Sequence, residues 1–190
     1  MFTKTEIKQN FLGCLEIFLF MRKGIERFGT SNVSAVKSFI VPLALLPFSL
    51  LAIMAVQSET PLNTLIGIKM GHLAITAILF LAFVYYFMKQ YDRQQHFWRF
   101  ITISNWLSIP SMILLLPLLV GRLTGIETTA FESYIIFTAI INYVYLAFIL
   151  TNCFRLPWEL GGFIAIVSLA INEHTLKIGA VLHENFMALS

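Results

Sequence analysis

Between Arg99 and Arg122 the chain carries no charged side chain. At ~1.5 Å per residue, the roughly twenty residues of 101–120 reach across the ~30 Å hydrocarbon core of a bilayer. Trp98 and Arg99 stand at the start of this run, as interfacial residues do. The run is also polar for a span, with Ser104, Asn105, Ser108 and Ser111. A segment of this kind in mid-chain excludes an ordinary water-soluble domain, and the composition agrees. Only 12% of the 190 residues are charged and 58% are hydrophobic, against ~25% charged in soluble domains.

The same reading along the chain gives an all-α integral membrane bundle of five transmembrane helices, at about 39–56, 66–88, 101–120, 134–153 and 158–175. The domain plan is a basic segment at 1–37, the membrane domain at 38–176 and a short external tail at 177–190. That tail either extends the fifth span or lies along the surface. No cleavable leader is expected, because MFTKTEIKQN is polar and Glu16 interrupts the apolar run behind it.

Residues 5–28 place Ile7, Phe11, Leu15, Phe18 and Leu19 at helical spacing among Lys4, Lys8, Arg22, Lys23 and Arg27. This pattern predicts an amphipathic interfacial helix on anionic headgroups, with a helix packed on the protein's own end as the alternative. Pro42 and Pro47 in the first span, and Pro110 and Pro117 in the third, predict kinks. Thr60-Pro61 reads as a helix start. Gly67 and Gly71 form a Gly-xxx-Gly pair of the kind that lets helices approach closely. Thr129 and Glu132 read as a capping box for the fourth span, and Pro157 and Glu159 as the first turn of the fifth.

Thr138, Asn142, Tyr145 and Asn152 share one face of the fourth span. Asn142 and Ser111 lie at matching depths, roughly 15 Å from one membrane face by helical rise. Asn142 is therefore expected to hydrogen-bond Ser111 or Ser108 and to fix the rotation of the two helices. Asn172, Glu173 and His174 end the fifth apolar run and are the remaining polar candidates. Spans one to four have no ionisable residue at their middles, and no catalytic or nucleotide-binding motif is present. We therefore expect no enzyme, no cofactor and no nucleic-acid partner. Asp92 and His96 stand at i, i+4, but two ligands do not make a metal site. Cys14 and Cys153 are read as free thiols at apolar positions.

Ten Lys and Arg lie in the N-terminal segment and in the 89–99 and 154–160 connections, against Lys69, Arg122 and Lys177 on the other side. The positive-inside rule then puts the N-terminus in the cytoplasm and the C-terminus outside.

The plan of basic segment, five spans and short tail resembles the Yip1-type family of small five-span proteins. It is also similar to alphaproteobacterial inner-membrane proteins of this length. Arg22-Lys23-Gly24-Ile25-Glu26-Arg27-Phe28 before the first span and Arg99-Phe100-Ile101 to Asn105-Trp106 at the third carry the detail. The Asp-Leu-Tyr-Gly-Pro motif of eukaryotic relatives is absent, so the resemblance implies a place in the inner membrane and no activity. Two functions are in view. The first is a scaffold or membrane-organising protein whose partner is another protein or a second copy. The second is a small transporter, or a subunit of one, with a polar cavity between kinked spans one, three and four.

Overall fold

The computed structural model describes residues 2–56, 62–126 and 128–189, and among them every regular element is helical. The Thr60-Pro61 helix start lies outside the described residues. The N-terminal segment divides into three short helices, α1 (Lys4–Phe18), α2 (Lys23–Glu26) and α3 (Asn32–Ser38). Thr3 and Glu6 close a capping box at the start of α1. A single helix through residue 28 does not form, because α1 ends in a left-handed turn at Phe20 (φ 56°). There the Phe20 and Met21 amides return to the carbonyls of Ile17 and Glu16, satisfying groups that a helix end leaves open. Gly24 then lets α2 fold back on α1: an added Cβ would lie 2.8 Å from the Gly13 carbonyl oxygen.

The longer helices are α4 (Ile40–Val56), α5 (Leu62–Gln90), α6 (Phe97–Trp106), α7 (Ser108–Leu123), α8 (Glu132–Phe154) and α9 (Trp158–Leu189). A 3-10 turn, Thr128–Phe131, precedes α8. Phe131, not Thr129, is the N-cap of α8, so the expected capping box does not start that helix. α6 and α7 are two halves of one apolar stretch, interrupted at Leu107. Pro110 supplies the reason, since it has no N–H to donate to the Trp106 carbonyl. Pro47 and Pro117 sit inside helices that continue through them. The C-terminal tail continues α9 as one helix.

Among the described residues three helical stretches are long and apolar enough to cross a membrane, not five: Met70–Gln90, Gln94–Gly121 and Thr129–Phe154. The expected fifth span is too short in apolar length. Its uncharged run, 160–172, covers only ~20 Å before Glu173 and His174. In place of the expected first span, the described residues hold the shorter apolar stretch Asn32–Phe48. α4 lies along α7, and α9 along α8 and α5.

The core sits at one end of the bundle, where α1–α3 pack on α6 and α8. Ile17, Phe28, Phe100, Ile103, Leu150 and Phe154 are fully enclosed there. Farther along, Ile75, Ile78, Ile113, Ile136 and Ile140 stand exposed on the outer faces. Apolar surface on this scale is what a bilayer covers. The chain is a helical membrane-associated protein with several apolar spans.

The basic N-terminal segment is a cap over that core. The Arg27 guanidinium grips Glu16 through Nε (2.7 Å) and Nη2, and reaches Gln9 with Nη1 (2.9 Å). That hydrogen bond holds the Glu16 carboxyl below the usual carboxylate range. A depressed value means the pair stabilises the cap fully above the unfolded pKa, ~4.3, and is lost as pH falls through the lower folded value. We expect amides of α1 and α2 to exchange faster relative to their intrinsic rates below about pH 4. Arg27→Gln should give the faster exchange already at neutral pH. An acid response unchanged in that variant would rule out this pair as its source.

Candidate functional site

Ser111 Oγ donates to Asn142 Oδ1 at 2.7 Å, joining α7 to α8. This is the contact that matched depths in the sequence anticipate. The Asn142 amide nitrogen donates to the Thr138 carbonyl one turn back, at 2.7 Å, so the side chain leaves neither end unpaired. Ser104, Ser108, Ser111 and Asn142 line one cavity of about 340 Å³ between these helices, with Phe18 and Tyr145 at the cap. Ser108 Oγ donates to the Asn105 carbonyl at 2.6 Å. The buried Ser104 Oγ finds no partner among the described residues.

Asn105 turns away from this cavity. Its Nδ2 donates to Ser38 Oγ at 2.8 Å, and Ser38 Oγ in turn donates to the Ala35 carbonyl. That bond ties α6 to α3 at the base of the cap. Sequence reasoning missed Ser38, because nothing local marks a serine 67 positions away as its partner.

Asn172, Glu173 and His174 are not brought to the cavity. Glu173 and His174 are exposed, and His174 Nδ1 lies 2.8 Å from the Ala170 carbonyl of its own helix. The Asn172 carbonyl lies 3.3 Å from His72 Nε2, and Thr76 meets Thr175 at 2.7 Å, so this end serves the α5–α9 contact. Thr138 and Asn152, expected on one polar face with Asn142, bond to carbonyls of their own helix. Tyr145 instead donates to the Phe18 carbonyl at 2.9 Å and stacks on Phe20 at 4.9 Å. The cap is thereby fastened to α8 beside the cavity.

Among the described residues the Gly67–Gly71 pair does not bring helices together, since an added Cβ at either position meets none of them within 4 Å. The close approach occurs instead at Gly161, against Thr151 and the Ala147 carbonyl of α8. Among the described residues no three His, Cys, Asp or Glu side chains converge as metal ligands would.

The Ser111–Asn142 bond should contribute about 0.6 kcal/mol, the usual size for such bonds between membrane helices. A double-mutant cycle of Ser111→Ala and Asn142→Ala, followed by unfolding in detergent, measures it. A coupling near zero would mean the bond does not set the helix rotation.

The class of molecule is thus a helical membrane protein with a capped basic end. Comparison with family models, curated proteins and solved structures finds no match. The resemblances to the Yip1-type family and to alphaproteobacterial inner-membrane proteins are therefore both withdrawn. They rested on a five-span plan, and among the described residues three helices are long and apolar enough to span.

Proposed function

We propose that this chain is a non-enzymatic, multi-pass inner-membrane protein that organises the membrane or a partner at its basic end. One observation carries the reading. The outer face of α1 exposes Ile7, Phe11, Leu15 and Phe18 in a row, with Lys4 and Lys8 exposed alongside. A face of this kind seats at the depth of lipid headgroups, and each basic residue near an anionic surface contributes about 1 kcal/mol. The inner face, with Cys14 and Ile17, is committed to the core. The outer face supports the headgroup reading and the inner face the packed alternative. The basic end faces the cytoplasm and the far end of α7, at Thr124, the periplasm.

The test uses the full chain in nanodiscs of phosphatidylglycerol or phosphatidylcholine. Amide exchange in α1 should be slower in the anionic discs at low salt, and Lys4→Gln with Lys8→Gln should remove the difference. Equal exchange in both lipids would defeat the headgroup claim. For orientation, Thr124→Cys should react with an impermeant maleimide in intact cells and Thr30→Cys should not. The native thiols are buried, and burial pushes that of Cys14 up to about 12. The opposite labelling pattern would reverse the assignment.

The transporter reading has its own observation, the unpartnered Ser104 hydroxyl on the 340 Å³ cavity. Ser104→Cys decides between the two. Rapid modification by a water-soluble thiol reagent in membranes favours an aqueous pathway, and protection favours packing.

A further inference from the structure

A second cavity, about 410 Å³, opens at the basic end, between the turn after α8, the start of α6, and α2. Its size is that of small-ligand sites. Arg22, Arg99 and Arg155 line it together with His96. Glu26 is the one carboxylate among its lining residues, and none of the three arginines forms an ion pair among the described residues. The Arg99 Nε is buried and without a hydrogen-bond partner among the described residues. A buried guanidinium N–H left unpaired costs more than almost any other unpaired donor. The C-terminus of α8 contributes about half a negative charge. With Glu26 counted, the guanidiniums still exceed the local negative charge by roughly one and a half. The basic end therefore holds an unneutralised, partly enclosed charge.

We propose that this cavity binds a phosphomonoester-type anion, with Arg99 and Arg155 as its principal holders and Arg22 at the rim. Such an anion carries about −1.5 to −2 at neutral pH, which matches the excess, where a carboxylate supplies less. Guanidinium forks suit phosphate oxygens, and each charge-assisted bond is stronger than a neutral one. Free phosphate and the headgroup of phosphatidic acid present the same chemistry. This site is independent of the α1 row, since it uses neither Lys4 nor Lys8.

Arg155 offers a clean test. It occupies a left-handed position (φ 55°) at the end of α8, where glycine is the usual residue. Arg155→Gly therefore removes the charge and keeps the turn. The full chain in nonionic detergent is heated with inorganic phosphate replacing chloride at constant ionic strength. In a second arm the micelles carry phosphatidic acid, with phosphatidylcholine as the control. One arm or both should raise the Tm, and which one identifies the source. Arg155→Gly and Arg99→Gln should each weaken apparent affinity about tenfold, equivalent to ~1.4 kcal/mol. Lys4→Gln with Lys8→Gln should leave it unchanged, even if the α1 reading fails. If Arg99→Gln does not fold, Arg155→Gly decides alone. No shift in either arm overturns the site. So does a shift that survives Arg155→Gly, or one that follows the two lysines.

Discussion

Phe100→Ala is expected to cost about 3–5 kcal/mol of stability, the range for removing a fully buried aromatic ring. Phe100 is 0% exposed, and its ring centroid lies 5.4 Å from that of Phe154 and 6.3 Å from that of Phe80. The ring therefore joins α5, α6 and α8 at the level where the cap sits. Truncation leaves a hole that three helices cannot close together, so the cavity term adds to the lost contacts. Unfolding in detergent, with Ile113→Ala as the comparison, measures it. Ile113 is 58% exposed on an outer face, and its truncation should change stability little. A Phe100→Ala cost no larger than that of Ile113→Ala would mean that the core does not lie at this end.

Gly161→Ala should destabilise by about 1–3 kcal/mol, the usual cost of overpacking. The new methyl would collide with Thr151 Oγ1 and stand 2.8 Å from the Ala147 carbonyl oxygen. The hydroxyl can be removed, so Thr151→Ala should recover part of the loss. The carbonyl belongs to the backbone of α8 and cannot yield, so recovery stays incomplete. Gly67→Ala and Gly71→Ala should have the opposite sign. No described residue comes within 4 Å of an added Cβ at either position, and alanine in a helix interior is favoured over glycine by roughly 0.5–1 kcal/mol. Equal effects at all three glycines would show that the α8–α9 approach is not the close one.

The contrast between these glycines marks where the amino-acid sequence stops deciding. Hydrophobic runs establish that the chain is helical and membrane-associated, because a backbone in lipid must satisfy its own hydrogen bonds. The rise per residue places Ser111 and Asn142 at one depth, and a polar amide at that depth seeks protein. Those are local or one-dimensional quantities, and they were legible. The number of full spans was not. The run at 160–172 resembles its longer neighbours until its length is set against the bilayer. Spacing alone did not tell which small residues meet a neighbour: Gly67 and Gly71 have the spacing of a contact, but Gly161, on the small-residue face it shares with Ala165 and Ser168, has the neighbour.

Tertiary structure alone decided the cap and the basic cavity. Phe20, a poor residue for a left-handed turn, is held there by rings from α8. Asn105 points at Ser38 and away from the other polar residues of its helix. Arg22, Arg99 and Arg155 come from three separate stretches, and their sum of charge exists only once α2, α6 and α8 meet. Pairing between distant segments depends on shape and on which partner is left over. No periodicity within a single helix encodes that choice.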